Sequence, residues 1–169
     1  CNSVTEMYIN AWTRVIPKAA YDHCNDILIL EMGSNGGWEN DYDELIEQYK
    51  AMIANSGTEC YIIIGDTDNP EESVDSANYT SSQEIGTDDS MWEAALREAF
   101  GEHFINMRTY LLENALNIAG LEPTQMDEED LSQGRVPETI KYDYTHLNSY
   151  GYYAIGYGVY EKGLELGYW

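Results

Sequence analysis

The sequence predicts an α/β fold, a three-layer α/β/α sandwich built on a parallel sheet. Three observations carry that expectation. The runs Asp26–Met32 and Cys60–Gly65 are short and almost continuously apolar, the pattern of strands buried on both faces and hence of central parallel strands. Segments with apolar residues at helical spacing alternate with these runs, which points to right-handed βαβ units. A glycine-rich corner, Gly33-Ser34-Asn35-Gly36-Gly37-Trp38, follows the first run at the strand's C-terminal edge, where ligands bind in open α/β sheets.

Taken in order, residues 4–20 read as a helix on the spacing of Met7, Tyr8, Ala11, Trp12, Val15 and Ile16, with Pro17 disturbing its last turn. The first strand and its corner come next. Asp41–Ala54 is a helix that turns Leu45, Ile46, Tyr49, Met52 and Ile53 inward, and the acidic residues of its first turn complement the helix dipole. Gly57 lies just past its end, before the second strand. Residues 66–89 are rich in Asp, Glu, Ser, Asn and Thr and read as a long polar loop. Ser90 and Glu93 have the spacing of a capping box, opening a helix that ends before Gly101. Phe104–Met107 is a short third strand, and Tyr110–Ala119 a helix stopped at Gly120. One helical turn is expected over Asp127–Gln133. A final helix over 149–165 rests on Tyr152, Ile155, Val159 and Tyr160. Three strands are few for a doubly wound sheet, which usually has about five, so one edge is expected to be incomplete. No repeat or linker divides the 169 residues, which read as a single domain.

The net charge of −23 argues against nucleic acid or an anionic membrane as partner, since both demand a basic face. No apolar run approaches the length of a membrane span. The acidic balance fits an extracellular or secreted bacterial setting. The acidic runs Glu39–Glu44, Glu71–Asp75 and Asp127–Asp130 lack the spacing of a calcium loop and read as solvated faces, so no metal is expected. Cys1, Cys24 and Cys60 show no Cys-x-x-Cys spacing; Cys24 and Cys60 read as small apolar groups beside strands, and a single disulfide between any two of the three stays open. The 15 Tyr and 4 Trp against 2 Phe suit either half-wet surfaces and sugar clefts or a Tyr-rich core.

The chemistry concentrates in the last corner, Lys141-Tyr142-Asp143-Tyr144-Thr145-His146-Leu147-Asn148-Ser149-Tyr150-Gly151. An Asp and a His three residues apart on a tight corner can share a hydrogen bond. The carboxylate then fixes the imidazole tautomer and favours its charged form, as a general base requires. His23 and His103 have no such neighbour in this reading and are expected at the surface or at strand edges.

Two motifs then converge on a family. A buried strand ending in Gly33-Ser34-Asn35 resembles the Gly-x-Asn block of the SGNH, or GDSL, hydrolases. Asp143-x-x-His146-Leu147-Asn148, followed by Gly151 before a terminal helix, resembles that family's final block. Their order and the strand–helix pattern between them agree. The resemblance covers essentially the whole chain, as the C-terminal two-thirds of such a domain. It implies a flavodoxin-like sandwich and an ester hydrolase of acyl or acetyl groups, with an acylated carbohydrate suited to the aromatic content. His146 would be the base, Asp143 its orienting partner and Asn35 an oxyanion-hole donor. Gly33, Ser34, Gly36 and Trp38 would line the substrate site. No cofactor is implied.

The chain departs from the family at definite places. It has no Gly-Asp-Ser block, and nothing before Gly33 is a glycine, so the nucleophile and the second oxyanion donor are both missing. Asn35 is followed by Gly36-Gly37-Trp38 rather than by Asp. Cys1-Asn2-Ser3 and Gly65-Asp66-Thr67 echo the absent block weakly; no strand precedes the first, and the second follows the wrong strand. Ser34 reads as a turn residue. The expectation is therefore that the serine comes from a preceding segment or a second chain, which also completes the sheet edge. The alternative is a non-catalytic carbohydrate- or protein-binding module with a degenerate hydrolase fold. A flavodoxin-like nucleotide binder ranks last, because no glycine loop precedes a helix at the required spacing.

Overall fold

The computed structural model describes residues 22–33, 41–67 and 89–169. The helix expected over residues 4–20, the corner residues Ser34 to Trp38, Ser3, and most of the polar loop lie outside these ranges. The described chain is mixed α/β. In order it comprises β1 (Leu28–Glu31), α1 (Tyr42–Ser56), β2 (Tyr61–Ile64), α2 (Met91–Phe100), β3 (Phe104–Ile105), α3 (Met107–Ala119), α4 (Gln125–Ser132) and α5 (Ser149–Glu165). Short 3-10 turns occupy Gly101–His103 and Glu138–Ile140.

The sheet is parallel, in the order β1-β2-β3, with Ile29 opposite Ile62 and Ile64 opposite Ile105. Alternation along β2 sends its side chains into two separate cores. Ile63 packs with Leu45 and Tyr49 of α1 and with Trp92, Leu96 and Phe100 of α2. Ile62 and Ile64 pack with Met107, Leu111 and Ala115 of α3, with Val136, Ile140 and Leu147, and with Ala154 of α5. Full burial of each isoleucine contributes about 1.5–3 kcal/mol; β2 thus joins the two cores, as β3 does through Phe104 on one side and Ile105 on the other.

β1 corrects the expectation of a strand buried on both faces. Among the described residues it is an edge strand, with Ile29 45% exposed. An apolar run marks a strand that is compatible with burial; it does not say whether a neighbouring strand is there.

The helix ends follow their capping chemistry. The Asp41 carboxylate accepts from the amides of Asp43 and Glu44, and Gly57 closes α1. Ser90 and Glu93 form the expected capping box of α2. Asn106 was expected inside the third strand; it is instead the N-cap of α3, its Oδ1 accepting from Thr109 N at 3.1 Å, so the helix starts three residues before Tyr110. The turn near Asp127 is a complete helix, opened by a capping box between Thr124 and Asp127. Asp127 is fully buried, contrary to its reading as part of a solvated acidic face. Its carboxylate accepts from Thr124 N, Thr124 Oγ1, Thr139 N and Thr139 Oγ1 at 2.6–2.9 Å, and these bonds hold its pKa below the ordinary value against the opposing effect of desolvation.

The final helix has the expected limits but a different inner face. Gly151, Ala154, Gly158 and Gly163 are buried, Ile155 and Val159 half-buried, and Tyr152 and Tyr160 exposed. Cys24 is exposed and Cys60 half-buried, and both are free thiols; Cys24 is thus no apolar packing group.

Candidate functional site

The segment joining α4 to α5 begins beside the C-terminal end of β3, where Arg108 Nη1 donates to Gly134 O at 3.0 Å. At the far end of α5, the Tyr168 hydroxyl accepts from Tyr61 N at 3.1 Å, at the start of β2. Together these contacts orient α5 antiparallel to β2. They put the loop before α5 on the side of the strands' C-terminal ends, the side on which Gly33 leaves β1.

That loop, Lys141 to Leu147, is a narrow excursion. An antiparallel bridge between Lys141 and Leu147 closes its neck. Tyr142 N donates to His146 O at 2.8 Å. Asn148 holds the base: its amide nitrogen donates to Thr139 O and Lys141 O, while its Oδ1 caps α5 by accepting from Tyr150 N and Gly151 N. Gly151 is required by contact, since a Cβ there would stand 2.6 Å from Ile140 O and 2.8 Å from Leu147 Cβ.

Within the loop the Asp143 carboxylate collects four contacts. Oδ1 accepts from Thr145 N at 3.0 Å and His146 N at 2.8 Å. The His146 ring Nδ1 lies 2.9 and 3.0 Å from the two carboxylate oxygens. The backbone amides of His146 and Thr145, ahead of the imidazole itself, hold the carboxyl below its ordinary value. With Nδ1 engaged by an ionised carboxylate, the neutral ring carries its proton there and keeps Nε2 as the basic nitrogen. The His146 side chain is 66% exposed, so Nε2 faces open space rather than a packed core. The arrangement can accept a proton from a hydroxyl brought to Nε2 and return it to a leaving group.

At the strand exits, Gly33 has φ of 111° and abuts Trp92 so closely that a Cβ would stand 2.6 Å from its ring. Only glycine suits both demands. The preceding residue is fixed by Tyr49, whose hydroxyl donates to Met32 O at 2.8 Å and accepts from Met32 N at 3.0 Å. Two acidic residues stand at this edge: Glu31, not singled out from the sequence, and Asp66, read there only as part of the Gly65-Asp66-Thr67 echo. The Glu31 carboxyl is pushed up, first by desolvation and then by repulsion from Asp66, which follows β2. The signal available in the sequence for Glu31 was its position at the end of a parallel strand.

The sequence-derived site residues therefore fall into two groups. Asp143 and His146 are brought together, and Gly33 stands at the exit of β1. Ser34, Asn35, Gly36 and Trp38 lie outside the described residues. Thr67 follows β2, the strand next to the one that carries the Gly33 corner.

The other histidines do have partners. His23 Nδ1 lies 2.6 Å from Asp26 Oδ2, an exposed pair at the N-terminal approach to β1, away from the strand exits. His103 stacks on Tyr61 and contacts Tyr61 O and the Tyr168 hydroxyl, each at 3.0 Å, at the start of β2. No group of three or more potential metal ligands occurs among the described residues. No helix among them is long and apolar enough to cross a membrane. Comparison with protein-family models, curated proteins and solved structures gave no match.

Proposed function

We propose that the chain is the C-terminal part of an SGNH-type ester hydrolase, acting on acyl or acetyl esters with a serine supplied by another segment or chain. The observation that carries this reading is the Asp143–His146 pair. It is bonded at Nδ1, open at Nε2, and held on a loop at the sheet's C-terminal side. In this reading Asn35, two residues past Gly33, donates to the oxyanion, and the fold is a three-layer sandwich. The edge of β1, which has no strand beside it among the described residues, supports it as well. The strands that would carry the missing serine and glycine would pair with the backbone groups of that edge. Acylated carbohydrate is the substrate class that suits the exposed aromatic residues.

The test is to produce these residues together with the segment preceding Cys1 in its gene, or with a chain that co-purifies. Labelling by a fluorophosphonate probe and hydrolysis of an aryl acetate are then measured. Labelling of a serine is expected, with turnover falling about 10²–10⁴-fold in His146→Ala. Absence of both labelling and turnover in the completed protein overturns the proposal. That result is what the competing reading, a non-catalytic binding module, requires; the outward-facing tyrosines of α5 are the observation in its favour.

A further inference from the structure

The last helix has its aromatic residues on the outside. Its inner face is small, formed by Gly151, Ala154 and Gly158, while Tyr153 and Tyr157, one turn apart, are 59% and 40% exposed. These rings stand over a groove between α3 and α5 that is lined by Tyr110, Asn114, Asn117 and Glu161 as well. Its volume is about 340 Å³, inside the roughly 300–1,000 Å³ range of small-molecule sites.

The groove is built by specific residues. Gly158 leaves room for the Tyr110 ring to lie against the α5 backbone, where a Cβ would come within 2.7 Å of Tyr110 Cε1. The Tyr110 hydroxyl donates to Glu161 Oε2 at 2.6 Å, which pins the ring and orients the carboxylate. Asn114 Nδ2 donates back to Tyr110 O at 3.0 Å, fixing its amide and turning its Oδ1 away from the helix bond. Exposed phenol rings offer flat apolar faces, and amide and carboxylate groups offer acceptors and donors at the rim.

We propose that this groove binds an uncharged saccharide, a site separate from the Asp143–His146 loop. The pairing of aromatic faces with amide and carboxylate groups matches the two kinds of surface on a sugar ring, its C–H face and its hydroxyl edge. Glu161 and the overall charge of −23 disfavour an anionic ligand.

The test is a titration of the chain with cellotetraose, xylotetraose and mannotetraose up to about 10 mM, read by amide nitrogen–proton NMR. At least one saccharide is expected to shift the amides of Tyr110, Asn114, Asn117, Tyr153 and Tyr157. Tyr153→Ala and Tyr157→Ala should weaken binding about three- to tenfold, while Tyr153→Phe should retain it. Both tyrosines are exposed, so a preserved spectrum elsewhere separates lost binding from lost fold. The proposal is overturned if no saccharide shifts these amides, or if choline shifts them and saccharides do not, which would mark an aromatic cage for a cation. Binding is read without turnover, so this outcome stands apart from that of the hydrolase test.

Discussion

Asn148 joins Lys141 across the neck of the loop that presents the Asp–His pair: its Nδ2 donates to Lys141 O at 3.1 Å and to Thr139 O at 2.9 Å. The same side chain caps α5 through its Oδ1. One residue thus fixes where the loop ends and where the helix begins. Asn148→Ala removes the cap and leaves two carbonyl groups without their donor, so a loss of about 1–3 kcal/mol is expected by urea denaturation. Asn148→Asp keeps a capping oxygen and should fall between the two proteins. Equal stability of all three would show that the clasp is absent in solution.

The neck also depends on the absence of a side chain at Gly151. Gly151→Ala would place a methyl group against Ile140 O and Leu147 Cβ at less than contact distance. Ile140 and Leu147 are buried and belong to the core shared with β2. The substitution should therefore cost about 1–3 kcal/mol by overpacking, despite the higher helix propensity of alanine. A thermal melt showing stabilisation would mean that the neck yields easily.

Asp143 should titrate low. Its carboxyl is held below the ordinary value of 3.8 chiefly by the amides of His146 and Thr145. A depressed carboxyl pKa means that the folded loop is favoured above the ordinary value, and that this favour fades as pH falls through the lowered one. Carboxyl-carbon NMR should give a midpoint below 3.8, with the Thr145 and His146 amides moving at the same midpoint. A midpoint at or above the ordinary value would show an open loop.

Several features of this structure were legible because they are local. Ser90 and Glu93, or Asp143 and His146, interact at a separation of three residues, so spacing alone brings them together. Asp41 and Gly57 mark the ends of α1 for the same reason. Features that depend on partners far along the chain were not legible. Asp127 looks like one more acidic surface residue until Thr139, twelve positions on, supplies two of its donors. Tyr152 and Tyr160 have helical spacing and high apolar content, yet it is Gly151 and Gly158 that are buried, because Ile140 and Tyr110 respectively approach too closely for larger residues. Asn106 sits in an apolar run that reads as strand, but its capping bond to Thr109 ends β3 after two residues.

Arg108 and Glu93 illustrate the same distance effect with charge. They are fifteen positions apart, both buried, and joined by two bonds of 2.7 Å, with a third from Arg108 to Gly134 O. Arg108→Met leaves the Glu93 carboxylate buried without its cation and should cost about 3–5 kcal/mol. Adding Glu93→Gln removes that stranded charge and still allows an acceptor for Ser90 N. Chemical denaturation should find the double variant more stable than Arg108→Met alone; the reverse order would mean that water reaches Glu93 when the arginine is gone.

Tyr49 links the core to the strand exit and should respond to pH in the alkaline range. Its ring is fully buried, and its hydroxyl both donates to and accepts from the backbone of Met32, one residue before Gly33. Tyr49→Phe strands those two backbone groups and should cost about 1–3 kcal/mol near neutral pH. Desolvation, and then the nearby Glu31 and Asp66 charges, push the phenol up to about 12, against the opposing bond to Met32. A raised pKa means that the folded state holds its proton longer. The contribution is intact below the unfolded value of 10 and is lost as pH rises through about 12. Within that window the loss approaches about 1.4 kcal/mol per pH unit. Denaturation at about pH 9 and about pH 11 should therefore show the wild type losing more stability than Tyr49→Phe, so that the gap between the two proteins narrows. A gap that stays constant would place the hydroxyl in water.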